Sequence, residues 1–343
     1  MNKQLLSRIL IIQTASLGDV ILSTSLAETL HSEYPVAKID YLIKAGYEDL
    51  FAGHPFIGEI LTWNKSNRKY ANLFKLALKV RHHKYDAVIN IQRFASSGFI
   101  SALSGAKFRS GFVKNPFAFT YTHKADHIIL NKPGSPHEIY RNAKLIEPLT
   151  SIKALRPRLY PSVDDNMAVR KWQGKPYITI SPASLYYTKQ FPEYKWVELI
   201  TNISSAFSVR LLGSKADDQL CQKIMKESKH NDIINLSGQL SFLQSALMMQ
   251  NAVMNYVNDS APQHIASAVN APVTVVFCST VPSFGFGPLS DNSTVVETTE
   301  QLSCKPCGLH GYQECPEGHF KCAETIALSQ MLTPLTYGQR DKD

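Results

Sequence analysis

Three short stretches of this 343-residue chain carry residue types suited to a group transfer. In the first, Thr14-Ala15-Ser16-Leu17-Gly18-Asp19 follows an apolar run and opens a helical pattern. A carboxylate at such a helix start can take a proton from a substrate hydroxyl; the same carboxylate serves equally as a plain N-cap. In the second, Thr188 and Lys189 precede Phe191-Pro192, which open another helix. A hydroxyl and an ammonium beside a helix start suit a diphosphate, or Lys189 is simply a surface lysine. The third is Asp259-Ser260-Ala261-Pro262-Gln263-His264. A small-residue loop that ends a strand and feeds a helix presents free N–H groups and the positive end of the helix dipole to an anion. Asp259 or Ser260 can cap that helix, and His264 in its first turn can add a donor. The plainer alternative is an N-cap and a partly buried histidine. Neither GxGxxG nor a P-loop pattern is present.

The elements that must position these residues alternate. Residues 8–13 (RILIIQ), 38–43, 57–64, 85–91 and 108–113 read as strands, separated by helical spacing from Asp19 onward, a short helix near 47–55, and helices at 70–83, 97–103 and 135–149. Residues 156–176 lose the alternation, being rich in Pro and charge. It then restarts with strands at 177–183, 208–214, 232–238, 252–257 and 273–277 and helices between them. Strand–helix alternation means parallel, doubly wound sheets. The expected organisation is an α/β chain of two Rossmann-like domains facing each other across a cleft. The first spans 1–160, a hinge 161–176, and the second 177–325. A C-terminal segment, 326–343, is expected to pack back on the first domain. The cleft is the expected ligand site.

Hydrophobic content of 44% and charged content of 19% are those of a globular protein, and no apolar run is long enough for a transmembrane helix. The N-terminal apolar run is broken by Gln13 and Asp19 and lacks a small-residue cleavage site, so it reads as a strand and not a signal peptide, which points to the cytoplasm. A net charge of +8 favours anionic partners. The densest basic run, Lys65, Arg68, Lys69, Lys75, Lys79, Arg81 and Lys84, is either a solvated helix face or a surface for an anionic membrane or acceptor. No zinc-finger, RRM or helix-turn-helix pattern supports nucleic acid. Cys221 and Cys278 stand alone. Cys304, Cys307, Cys315 and Cys322 cluster with spacings of two, seven and six residues. A tetrathiolate zinc site is chemically possible there, but the spacing is not that of paired CxxC knuckles, and reduced thiols in an irregular tail are the default.

The stretches LGDVILSTSLAETL, TKQFPEYKWVEL and NDSAPQHIASAVNAPVTVVFCSTVP, in this order and spacing, resemble the ADP-heptose:lipopolysaccharide heptosyltransferases, glycosyltransferase family 9. The tail CKPCGLHGYQECPEGHFKC resembles that of heptosyltransferase II-like members. The resemblance implies a GT-B fold and an inverting, metal-independent transfer of heptose from ADP-L-glycero-D-manno-heptose to Kdo or the first heptose of the lipopolysaccharide inner core. No cofactor beyond the nucleotide-sugar donor is required. It places the catalytic base on Asp19 and the donor contacts on Thr188, Lys189, Asp259, Ser260, Ala261 and His264. A ribose contact falls on Asp217 or Asp218. Ser16, His137 and Arg141 are the acceptor-side candidates. His137 and Arg141, one helical turn apart, suit a Kdo carboxylate or phosphate, or form an ordinary surface pair. The implied partners are a lipid A–Kdo glycolipid and the anionic cytoplasmic face of the inner membrane. The chain departs from the family pattern at Gln13 (usually basic), Ser25 (usually proline) and Ala261 (usually glycine). Those departures leave two alternatives: another nucleotide sugar for a surface glycan, or a catalytically silent nucleotide-binding relative.

Overall fold

The structure, a computed structural model, describes residues 6–63, 69–130, 132 and 134–340. Lys65 and Arg68 of the basic run lie outside the described residues. The chain forms two compact units. One is built from residues up to Leu130 with Pro136–Tyr160; the other runs from Pro161 onward and includes the short stretch before Pro136.

The first unit runs β1 (Arg8–Gln13), α1 (Leu17–Glu33), β2 (Lys38–Lys44), β3 (Ile57–Trp63), α2 (Lys69–His82), β4 (Ala87–Asn90), α3 (Ala95–Leu103), β5 (Phe108–Phe112), β6 (His123–Ala125) and α4 (Glu138–Ala143). Its six strands are all parallel, in the order β3-β2-β1-β4-β5-β6. Ile9, Leu10, Ile11 and Ile12 of β1 are wholly buried, as expected of a parallel strand covered on both faces. The chain leaves β1 for β2 on one side and reaches β4 on the other, so the order reverses between β1 and β4. The carboxyl ends of these two strands flank a crevice, the usual ligand position in such sheets. Helix α1 is buried from Val20 to Leu30. Part of its cover is the segment ending this unit: Thr24 Oγ1 accepts from Arg158 N–H (3.0 Å) and Ser25 Oγ donates to the Leu155 carbonyl (2.5 Å).

The second unit repeats the arrangement with α5 (Val163–Val169), β7 (Tyr177–Ser181), α6 (Glu193–Thr201), β8 (Ser208–Leu211), α7 (Asp218–Glu227), β9 (Ile233–Asn235), α8 (Phe242–Gln250), β10 (Met254–Asn258), α9 (Ala261–Ala268), β11 (Val273–Val276), β12 (Ser293–Val296), α10 (Lys321–Glu324) and α11 (Leu328–Arg340). The parallel order β12-β11-β10-β7-β8-β9 is the same winding, with its reversal between β7 and β10.

Several elements differ from the sequence expectation. Strands β6 and β12 are edge strands of three and four residues, too short and polar to stand out. The presumed hinge contains α5, started by a capping box between Ser162 and Asp165. The long helix expected at 135–149 is α-helical only over Glu138–Ala143 and continues as turns. Met331 and Leu335 of α11 belong to the core of the second unit with Trp196 and Ile200, so the C-terminal segment, expected against the first unit, is built into the second.

Helix α4 is anchored by a buried ionic cluster. Glu138 accepts from Arg141 Nε (2.8 Å) and contacts His127 Nε2 (3.0 Å), and Arg141 is 1% exposed. Burial alone would raise the Glu138 pKa; the His127 hydrogen bond and the Arg141 guanidinium more than offset it and hold the carboxyl below its ordinary range. Arg141→Ala should therefore cost about 3–5 kcal/mol at neutral pH, read by urea unfolding. A depressed carboxyl contributes stability that is complete above its unfolded value of about 4.3 and is lost as pH falls through the folded value. The difference between wild type and variant should accordingly shrink when the titration is repeated near pH 3.

Candidate active site

In the first unit the loop after β1 and the residues after β4 meet at the reversal point. Gln13 Oε1 and Gln92 Nε2 hydrogen-bond there, both buried. Asn90 and Asn115 hold the β4 exit: Gln92 N–H donates to Asn90 Oδ1 (3.0 Å), and Asn115 Nδ2 to the Gln92 carbonyl (2.9 Å). Asp19 is half-buried in the first turn of α1. Its Oδ2 accepts from Ser16 N–H (3.2 Å) and the Ser16 hydroxyl (2.6 Å), a complete capping box. The capping role is thus real, and it fixes a carboxylate at the carboxyl edge of β1.

Of the other acceptor-side candidates, Ser16 is exposed beside Asp19. His137 caps α4, its Nδ1 accepting from Ile139 N–H (3.3 Å). Arg141 does not form a surface pair with His137. Its guanidinium is buried, with Nη1 on the Pro136 carbonyl (2.6 Å) and Nη2 on Glu138 (2.7 Å), so its donors face inward and not toward an acceptor.

In the second unit the reversal point brings two of the predicted stretches together. Lys189 ends a 3-10 turn in the loop after β7, and Asp259 follows β10. Lys189 Nζ lies 2.7 Å from Asp259 Oδ2, with side chains 15% and 9% exposed. The Thr280 hydroxyl, from the loop after β11, donates to the same oxygen at 2.6 Å. Asp259 is therefore an ion-pair partner and not a helix cap. Ser260 occupies the N-cap position of α9, but its hydroxyl turns back to the Asn258 carbonyl (3.3 Å) and makes no capping bond. No side-chain cap closes this helix start, although Gln263 N–H donates to the Ser260 carbonyl (3.1 Å). Ala261 is the first residue of α9, Pro262 follows, and His264 is buried in the first turn. The ammonium, its charge balanced by Asp259 but with further N–H donors, and the helix N-terminus form a donor-rich edge suited to an anionic group.

Thr188 was expected to face a phosphate. It is buried, and its hydroxyl oxygen accepts from Tyr312 N–H (2.8 Å) and the Ser279 hydroxyl (3.0 Å), so it serves the protein interior. Asp217 caps its own turn through Ser214 (2.7 Å). Asp218 accepts from Asn235 Nδ2 (2.8 Å) and Ser237 Oγ (3.1 Å), and the Ser237 bond leads the contacts that hold its carboxyl below the usual range. Both lie at the carboxyl edge of β8. Sequence reasoning did not single out Asn258, Ser279, Thr280, Gly311 or Tyr312. Asn258 is wholly buried, accepts from Phe191 N–H (2.9 Å) and donates to the Pro182 carbonyl (2.7 Å), so it sets both ends of the Lys189 loop. A buried asparagine closing an apolar strand was its one visible signal.

All six cysteines are free thiols, and among the described residues no group of three His, Cys, Asp or Glu side chains is placed to hold a metal ion. Cys322 is part of the second unit's core, and burial, with the other thiols nearby, pushes it up to about 12. Cys304, Cys307 and Cys315 are partly exposed, and the Cys307 thiol donates to the Cys304 carbonyl (3.3 Å).

The family model for glycosyltransferase family 9 (heptosyltransferase) matches residues 73–314. Lipooligosaccharide heptosyltransferase 2 of Haemophilus influenzae is 24% identical over 331 residues, 85% of this chain and 89% of that protein. The solved ADP-heptose lipopolysaccharide heptosyltransferase II of Escherichia coli superposes with a TM-score of 0.79 at 21% identity, covering 98% of this chain and 99% of its own. A family 9 glycosyltransferase from Veillonella parvula gives 0.84 at 19%, covering 98% of both chains. The two doubly wound units thus make a GT-B fold, and the chain belongs to glycosyltransferase family 9, the heptosyltransferases.

Proposed function

We propose that this glycosyltransferase moves heptose from ADP-L-glycero-D-manno-heptose to the lipopolysaccharide inner core, on Kdo or the first heptose, by inverting displacement without a metal. The observation that carries the reading is the Lys189–Asp259 pair beside the uncapped start of α9, at the strand-order reversal of the second sheet. In the reaction, Asp19 takes the proton of the acceptor hydroxyl as its oxygen attacks the anomeric carbon. The bond from that carbon to the diphosphate breaks, and ADP leaves with the electron pair. Lys189, Ser260, His264 and the N-terminal N–H groups of α9 stabilise the leaving charge. Asp217 or Asp218 meets the ribose, and Ser16 and His137 border the acceptor.

The proposed acceptor is anchored in a membrane, and the first unit offers a face suited to one. Tyr70, Phe74 and Leu78 lie four residues apart on α2, each about half exposed or more. Exposed Lys69, Lys75, Lys79 and Arg81 lie along the same helix, with Lys84 just beyond its end. An apolar stripe edged by cations is the pattern of a helix lying in an anionic interface. Among the described residues no helix is long and apolar enough to cross a bilayer.

Mass spectrometry of Kdo-lipid A and its mono-heptosylated form, incubated with ADP-heptose, tests the reaction directly. One of the two should gain a heptose. Asp19→Asn keeps an oxygen for the Ser16 cap but cannot take up the proton, so turnover should fall about 10²–10⁴-fold while ADP affinity stays within about twofold. Absence of transfer to either acceptor, with ADP still bound, would move the reading to another sugar or to a silent relative. Lys189→Ala should weaken ADP binding by about 10–150-fold, the worth of a hydrogen bond to a charged group, as read by calorimetry. In flotation assays, vesicles containing phosphatidylglycerol should carry the protein and pure phosphatidylcholine vesicles should not. Replacing Phe74 and Leu78 by Ser should cut the bound fraction about fivefold or more, and raised salt should weaken binding.

A further inference from the structure

The cysteine-rich segment reaches the donor-side loops at several points. Lys305 Nζ donates to the Phe277 carbonyl (2.9 Å), and Cys307 N–H to the Ser279 carbonyl (2.8 Å). Tyr312 then pairs with Thr188 in both directions. Thr188 N–H donates to the Tyr312 carbonyl (3.1 Å), and Tyr312 N–H donates to Thr188 Oγ1 (2.8 Å). The Thr188 hydroxyl, given the Ser279 hydroxyl as second donor (3.0 Å), returns its own proton toward the Tyr312 carbonyl (3.3 Å). Every hydrogen-bonding direction of that oxygen is thereby used.

Gly311 makes the approach possible. Its φ is +75°, and a Cβ there would stand 2.8 Å from Thr188 Oγ1, 3.1 Å from Lys189 Cγ and 3.2 Å from Ser279 Oγ. A side chain is excluded both by conformation and by space. The residues being held are the neighbours of the ion pair: Thr188 precedes Lys189, and Ser279 precedes Thr280, which bonds Asp259.

We infer that residues 305–312 are a positioning strap for the donor side, with Gly311 and Tyr312 setting the place of Lys189 through the Thr188 hydroxyl. The tail is then part of the nucleotide site's support and not an appendage. The consequence for nucleotide affinity rests on the reading of Lys189 and Asp259 as the diphosphate site; the consequence for Lys189 itself does not.

Two readouts separate these. The first is the rate of amine acylation of Lys189, followed by peptide mass spectrometry, with Lys195 in the same protein as reference. Lys195 is held by the Ile326 carbonyl at 2.8 Å, away from the strap's contacts. Gly311→Ala and Thr188→Val should each raise Lys189 labelling at least fivefold with Lys195 unchanged, and Thr188→Ser, which restores the hydroxyl, should return it to the wild-type rate. The second readout is ADP affinity by calorimetry, which should weaken about tenfold in Gly311→Ala and Thr188→Val and stay within about twofold in Thr188→Ser. Unchanged Lys189 labelling in both disruptive variants overturns the strap, as does an equal rise at Lys195, which would mean general loosening. Raised labelling with unaltered ADP affinity leaves the strap's hold on Lys189 and overturns its role in nucleotide binding. If the wild type binds no ADP while labelling responds as expected, the strap stands and the donor-site reading fails. Should Gly311→Ala not fold, the Thr188→Val and Thr188→Ser pair decides alone.

Discussion

Two opposite charges nearly out of water are costly to desolvate, and such a pair persists only with close geometry and further hydrogen bonds. Lys189 and Asp259 meet both conditions, at 2.7 Å and with the Thr280 hydroxyl on the shared oxygen. The three residues follow β7, β10 and β11, which are adjacent strands. Their meeting therefore depends on register. The parallel pairings Val257 with Ser181 and Asn258 with Val276 bring the strand ends level. A slip of one residue would turn Asn258 away from Pro182 and Phe191 and send Asp259 to the other face. The wholly buried apolar strands that resist such a slip are thus the remote cause of the ion pair.

The same strand order is used to different ends in the two units. At its reversal point the first unit carries neutral amides, Gln13 and Gln92, and one carboxylate locked by a capping box. The second carries an ammonium and an open helix start. A carboxylate among neutral groups can accept a proton; an edge of N–H donors cannot, but it suits an anionic group. The difference between the two strand ends follows from which side chains close each strand, since the backbone supplies the same winding twice.

The parts legible in the sequence are those whose cause is local. Parallel strands covered on both faces read as continuous apolar runs, so β1, β7 and β10 stood out, and the loops that follow them located Asp19, Lys189 and Asp259. The turns and short helices were harder: α5 hides behind Pro161 and a charged stretch although its capping box, Ser162 to Asp165, is visible in retrospect. What could not be read are pairings between distant residues. Thr188 and Tyr312 are 124 positions apart, and nothing in either neighbourhood names the other. Arg141 looked like a ligand because a helical turn separates it from His137; that its guanidinium faces Glu138 and not solvent is decided by tertiary packing that spacing does not encode.

The three departures from the family pattern take on different weights once their surroundings are known. Ser25 sits inside α1 and gives its hydroxyl to the Leu155 carbonyl at 2.5 Å, a contact that proline could not make, so the change is matched within its own unit. Gln13 is buried and hydrogen-bonded to Gln92, which suits a neutral amide better than an unpaired charge. Ala261 is the first residue of α9 and has helical geometry. A glycine is required where φ is positive, which is not the case at a helix start, and alanine is the better helix former. The extra methyl therefore leaves the formation of the helix start untouched. On the proposed donor reading, its effect is confined to the space beside the first turn of α9, where it can select the size of the bound group and not the shape of the backbone.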